Sequence, residues 1–270
     1  HRKHPFAFTN QYGDPYTLKQ YVKKHKDAPF FLYYALQQPH VPRTPHPRFV
    51  GSSGMGPRGD VIVEADWCIG ELLKTLEDEG ILENTLIVFS SDNGPVLNDG
   101  YYDDAVEKIG KHKPAGKLRG GKYSLFEAGT KVPFITYWKG HIEPKTSDAV
   151  VSQIDLLSSL ATLVGSKDVG PDSENLLDAF LGRSNSGRDE LVLEAGGRTA
   201  FRSGDWTYIP PHKGRRLNKS VNIETGNDTL PQLHNIKKDV GQQQNLAIDN
   251  PEKLKELITA FEKIRGKNAK

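Results

Sequence analysis

The sequence predicts an α/β protein: a parallel sheet covered by helices over residues 1–197, then a small α+β subdomain over 198–270. Three observations carry this. Short β-rich runs at 30–36, 85–91 and 132–138 are separated by helical periodicity or long loops. Between the first two, Val61, Ala65, Cys68, Leu72 and Leu76 recur at steps of three and four, which gives strand, helix, strand and a parallel βαβ unit. After Gly197 the pattern changes to short antiparallel strands and one terminal helix.

The elements follow in order. Residues 1–28 are polar, basic and aromatic, with a short helix expected at Thr17–Lys24. Phe30-Phe31-Leu32-Tyr33-Tyr34-Ala35-Leu36 reads as a buried strand. Pro39, Pro42, Pro45 and Pro47 make the next stretch an exposed, extended loop. The helix over Asp60–Glu79 stops at Gly80, and Cys68 on its apolar stripe reads as a buried structural thiol. Thr85–Ser91 is a strand ending at Asp92-Asn93-Gly94, and 95–131 is a long glycine-bearing insertion of the kind that usually has a function. Val132–Trp138 resumes as a strand, with Pro133 near its start. Ser152–Val164 is an amphipathic helix opened by Ser152-x-x-Asp155 and closed by Gly165, and Leu191–Leu193 is a further strand. Thr199–Arg202 and Trp206–Ile209 flank a Ser203-Gly204-Asp205 turn as a hairpin. Asn250-Pro251-Glu252 starts a helix with Leu254, Leu257, Ile258, Phe261 and Ile264 on one face.

Composition narrows the function. Lys plus Arg (36) nearly balances Asp plus Glu (34), which argues against a dedicated nucleic-acid binder. The longest apolar run, 30–36, is far short of the roughly 18 residues of a membrane span. A single cysteine excludes an internal disulfide and a cysteine-based zinc site. The only methionine is Met55 and the chain opens with His1 without a leader pattern, so the sequence is expected to be a piece of something longer.

Three places carry candidate chemistry. Asp92 and Asn93, at a strand end, offer two hard oxygen donors suited to Ca²⁺ or Mg²⁺; a simple Asx-type turn closed by Gly94 explains the same tripeptide. Leu118-Arg119-Gly120-Gly121-Lys122 lies in a stretch with six Lys or Arg and no acid between Lys108 and Lys122, and its glycines let backbone approach a ligand beneath an ammonium. A solvated basic loop is the plainer account of that stretch. His40, with Arg43, His46 and Arg48, sits just past a strand end, where an imidazole can act as a general acid; a bystander is the plainer account, and His46 is read as one. In a parallel sheet such loops share one edge, so a hard cation, an ammonium and an imidazole there suit a tetrahedral oxyacid ester.

At these residues the sequence closely resembles the type I sulfatases of the alkaline phosphatase superfamily. The matching segments are Pro29–Ala35 with Pro39-His40-Val41-Pro42, Gly80–Gly94, and Leu118–Lys122 through Glu127–Ile135, with a weaker echo at Gln232–Ala247. Asp99–Asp104 adds the flavour of bacterial enzymes acting on sulfated glycans. The resemblance implies the C-terminal part of an alkaline-phosphatase-like mixed sheet and a sulfuric ester hydrolase. It implies Asp92 and Asn93 as one of two pairs of Ca²⁺ ligands, with Ca²⁺ ahead of Mg²⁺. Lys122 is implied as the residue gripping sulfate and leaving-group oxygen, with Arg119 beside it as a substrate-binding residue, and His40 as the residue contacting sulfate and protonating the leaving group. The other ligand pair and the formylglycine made from Cys/Ser-x-Pro-x-Arg are expected upstream, because no such motif occurs in this chain and Cys68 is followed by Ile69-Gly70. The implied partners are a sulfated small molecule or glycan and the missing N-terminal half of the same protein, in a periplasmic or extracellular setting. This chain alone is expected to be inactive. The alternatives are a phosphate or phosphonate ester hydrolase of the same superfamily, against which Asn93 in place of a histidine speaks, and a non-catalytic glycan-binding remnant.

Overall fold

The computed structural model describes residues 7–9 and 15–266; the first residues of the polar opening stretch lie outside them. In chain order, β1 (Ala7–Thr9) pairs antiparallel with β2 (Pro15–Thr17), and α1 (Leu18–His25) follows directly. Thr17 closes a capping box with Gln20, which is why α1 starts where it does. Next come α2 (Gly56–Asp78), β3 (Ile87–Ser90), α3 (Ala105–Lys108) and β4 (Phe134–Tyr137). Helices α4 (Asp155–Leu163) and α5 (Leu177–Phe180) precede β5 (Glu190–Ala195), β6 (Arg198–Ser203) and β7 (Trp206–Ile209). The chain ends with β8 (Leu217–Asn218), β9 (Ile223–Glu224), β10 (Gln232–Asn235) and α6 (Pro251–Arg265).

The chain divides into two compact units. One comprises His1–Ile87, Leu97–His112 and Trp138–Gly140; the other comprises Val88–Val96, Lys113–Tyr137 and His141–Lys270. In the first, α1 packs on α2: Leu18 and Val22 meet Cys68, Leu72, Leu76 and Leu82 in one cluster. Cys68 is a buried free thiol within it, as its place on the apolar stripe requires. In the second, an antiparallel sheet runs in the order β10-β7-β6-β5. The β6–β7 hairpin opposes Ser203 to Trp206, and α6 covers the sheet through Leu257 and Phe261 against Phe201, Tyr208 and Leu233. A further cluster joins Leu125 and Phe126 to Ala200 and Ile209, tying the 118–130 segment to this sheet.

Four expectations are corrected. Residues 30–36 form no strand: among the described residues no strand pairs with them as a ladder. An extended chain still alternates its side chains, so Phe30, Leu32, Tyr34 and Leu36 pack on the α1–α2 core while Phe31 and Tyr33 stay 75% and 82% exposed. The βαβ unit therefore lacks its first strand. In the proline-rich loop, which was expected to be exposed, Arg43 is buried because three acceptors surround it. Helix α4 begins at Asp155, with Ser152 outside it; Ile264 of α6 is exposed, since its neighbours Leu257 and Phe261 already fill the contact with the sheet.

Asp155 explains the shift at α4. Its carboxylate is fully buried, accepts from the backbone N–H groups of Ser152 and Glu174 at 2.9 Å each, and pairs with Arg188 through Nε at 2.9–3.0 Å. That carboxylate raises the Arg188 pKa through their hydrogen bond. Removing one partner of a buried pair leaves the other charge uncompensated. Asp155→Ala is therefore expected to cost on the order of 3–5 kcal/mol, read as a lower denaturation midpoint; a loss below about 1 kcal/mol, the scale of a surface pair, would contradict this role.

Candidate functional site

Strand β3 delivers the carboxylate–amide pair. Ser90 at its end donates through Oγ to Pro133 O at 3.0 Å, and the turn after it exposes Asp92. Asp92 Oδ1 accepts from Asn93 N at 2.9 Å, and Asn93 Nδ2 donates to Gly94 O at 3.0 Å. Gly94 is required here because a Cβ would fall 1.6 Å from Ala128 O; the close approach also lets Gly94 N donate to Gly129 O at 2.9 Å.

The Lys122 segment packs against this turn. Lys122 N donates to Pro95 O at 3.0 Å, three residues from Asp92. Gly121 permits that approach: a Cβ on it would lie 2.5 Å from the same Pro95 O. Tyr123 is held at φ 76°, rare and strained for a bulky residue. Its carbonyl accepts from Arg198 Nη2 at 3.1 Å, and its ring lies 5.3 Å from Lys122 Nζ. Lys111, His112, Lys113 and Lys117 are exposed, as solvated charges are, whereas Arg119 and Lys122 are half-buried. Arg119 grips Glu224 through two nitrogens at 2.8 and 2.6 Å, and this hydrogen bonding lowers the Glu224 pKa. The structure thus gives Arg119 a protein partner in Glu224.

In the other unit, His40 is exposed and its Nδ1 lies 2.7 Å from Val41 O. A carbonyl only accepts, so Nδ1 is the nitrogen that donates in this contact. Nε2 lies 3.7 Å from Asp99 Oδ2. Arg43 fixes this arrangement: its Nε donates to Pro39 O at 2.9 Å and its Nη1 donates to Leu97 O at 2.9 Å and to Asp103 at 3.1 Å. His46 is structural: its N–H donates to buried Glu64 and its Nδ1 accepts from Arg48 N.

Asp92, Asn93 and Lys122 thus come together in one unit, and His40 with Asp99 lies in the other. Among the described residues no three His, Cys, Asp or Glu side chains gather as a metal site. Two adjacent oxygens fit Ca²⁺ as part of a set of about six to eight. Sequence reasoning missed Asp99 as the neighbour of His40, and Glu224, Gln242 and Glu127 as supports of the 118–130 segment. No local signal could have marked them, because the bonds from Arg119 reach 105 and 123 residues along the chain.

A sequence model described as Sulfatase matches residues 15–166. A curated N-acetylgalactosamine-6-O-sulfatase of Bacteroides thetaiotaomicron is 43% identical over 251 residues, which are 92% of this chain and 49% of that protein. Human Arylsulfatase A is 32% identical over 238 residues, covering 83% of this chain and 45% of its own. A solved Bacteroides thetaiotaomicron structure, described under the metabolism of multiple glycosaminoglycans, superposes with a TM-score of 0.88 at 42% identity, over 91% of this chain and 52% of that one. The chain spans about half the length of the curated relatives it matches.

Proposed function

Because this chain belongs to the sulfatase family, we propose that the complete protein hydrolyses sulfate esters of glycans, with 6-O-sulfated N-acetylgalactosamine the first substrate to test. The observation that carries the reading is Lys122, whose backbone is bonded to the turn that presents Asp92 and Asn93. A lysine whose backbone is bonded next to a turn carrying two hard oxygens suits an anionic tetrahedral ester. Asp92 and Asn93 would hold Ca²⁺ with ligands from outside the chain, and the ion would supply charge to the sulfate oxygens. Lys122 neutralises charge on the sulfate and on the oxygen released as the S–O bond breaks. His40 is the residue that gives the leaving oxygen its proton, through Nε2, the nitrogen not engaged by Val41 O. The nucleophile is expected outside this chain, and the setting is expected to be periplasmic or extracellular. Among the described residues no helix is long and apolar enough to cross a membrane.

The experiment compares nitrophenyl sulfate, nitrophenyl phosphate and a sulfated glycan panel with full-length protein. Turnover of sulfates over phosphates supports the reading; phosphate preference points to a phosphoester hydrolase, and glycan binding without turnover to a non-catalytic module. His40→Ala is expected to harm sugar sulfates at least about tenfold more than nitrophenyl sulfate, since a good leaving group needs less protonation. Equal losses on both substrates would remove the proton-donor role.

A further inference from the structure

Segment 118–130 has little regular structure around Lys122, so what fixes its ends fixes the backbone from which the ammonium extends. At the leading end, Arg119 Nη1 donates to Gln242 O at 2.8 Å, and the guanidinium lies 4.0 Å over the Phe126 ring. At the trailing end, Glu127 N donates to Gln242 Oε1 at 2.7 Å. One residue holds both ends, with its carbonyl on one and its side-chain oxygen on the other. The middle is held by β9 and the residue after it: Ser124 Oγ donates to Glu224 O at 2.6 Å, and Leu125 N donates to Thr225 O at 3.0 Å.

Gln242 is fully buried, sits at φ 49° and has an Nε2 with no hydrogen-bond partner among the described residues. A buried amide donor left unmade and a left-handed non-glycine backbone are both unfavourable. Leucine would fill the volume without the orphan donor, and glycine would accept the backbone. Neither supplies Oε1, the atom that reaches Glu127. Nearby, burial pushes the His234 pKa down and keeps the ring neutral, so Arg119 meets no second cation from that side; the ring packs edge-on against Phe126 at 6.0 Å.

We infer that Gln242 is a positioning residue for Lys122, clamping the two ends of the Arg119–Glu127 segment so that the ammonium is aimed at the substrate anion. The consequence for turnover rests on the sulfatase reading; the clamp itself does not.

The test uses full-length protein. Gln242→Leu is expected to lower kcat about a hundredfold, the scale of an ångström misplacement, while Gln242→Glu, which keeps an acceptor, recovers at least about tenfold of that loss. Introduced into Lys122→Ala, Gln242→Leu is expected to change kcat less than about twofold, because residues acting through one group do not add. A loss in that background equal to its loss in the native one would overturn the positioning role. Hydrogen exchange supplies the second readout: Gln242→Leu should speed exchange of the amides at 119–127 and leave the β6–β7 hairpin protected. Unchanged exchange at 119–127 would overturn the clamp, and equal acceleration in the hairpin would reduce Gln242 to a general packing residue. If the native protein turns over no sulfate ester, the sulfatase reading fails by itself, and exchange still decides the clamp.

Discussion

Lys122→Ala in full-length protein is expected to lower turnover by about 10²–10³, the loss typical of removing one oxyanion-stabilising group. The size follows from when the charge is needed. A sulfate ester is already anionic when bound, so an ammonium helps binding, but further charge develops on the leaving oxygen as the S–O bond breaks. An interaction stronger in the transition state than in the bound ester appears in kcat more than in KM. The main chain that carries this side chain is held closely: Gly121 lets Lys122 N reach Pro95 O, and Tyr123 stands at φ 76° immediately after it. Lys122→Arg is not expected to restore the rate, because a planar fork is wider than an ammonium and the segment is held by fixed backbone bonds. Steady-state kinetics on nitrophenyl sulfate, with the melting temperature as a check on folding, make the measurement. A rise in KM with kcat unchanged would assign Lys122 to binding alone.

What was legible in the sequence is what local periodicity encodes. The α2 stripe, β3, β4, the β6–β7 hairpin and α6 each lie where spacing and turn residues place them, because each is decided by residues within one or two turns. Residues 30–36 show the limit of that evidence. Their composition favours a strand, but a strand needs a partner, and composition says nothing of whether one is present. Ser152-x-x-Asp155 shows another: the motif is real, and Asp155 does accept from Ser152 N, yet a buried Arg188 draws the carboxylate into tertiary bonding and α4 starts later. At the candidate site, Asp92, Asn93, Lys122 and His40 could be read because they sit in short motifs. Their supports could not. Arg43 looked like one more loop charge until Asp103 and Leu97 surrounded it, and nothing near Gln242 marks it as the residue that reaches Glu127.

The 270-residue chain by itself is expected to show no sulfatase turnover and only weak Ca²⁺ binding. A covalent route requires an activated nucleophile, and the one cysteine is buried in the α1–α2 core, where desolvation pushes its pKa up and holds it as the unreactive thiol. Its neighbours Ile69 and Gly70 do not form the Cys-x-Pro-x-Arg pattern, and no Ser-x-Pro-x-Arg occurs in the sequence. Asp92 and Asn93 supply two oxygens where Ca²⁺ takes about six to eight ligands, so most of its shell would remain water. Lys122 and His40 can stabilise and protonate, but positioning without attack leaves the S–O bond intact. Phe31 and Tyr33, 75% and 82% exposed on a segment with strand composition, add a liability to self-association. Supplying the upstream segment, fused or as a separate polypeptide, is expected to restore turnover and tighten Ca²⁺ binding together. The assays are nitrophenol release and calorimetric titration on the purified 270-residue chain with and without that segment. Turnover by the chain alone that disappears in Lys122→Ala would show that the nucleophile lies within these residues, and tight stoichiometric Ca²⁺ binding by the chain alone would show that further ligands do.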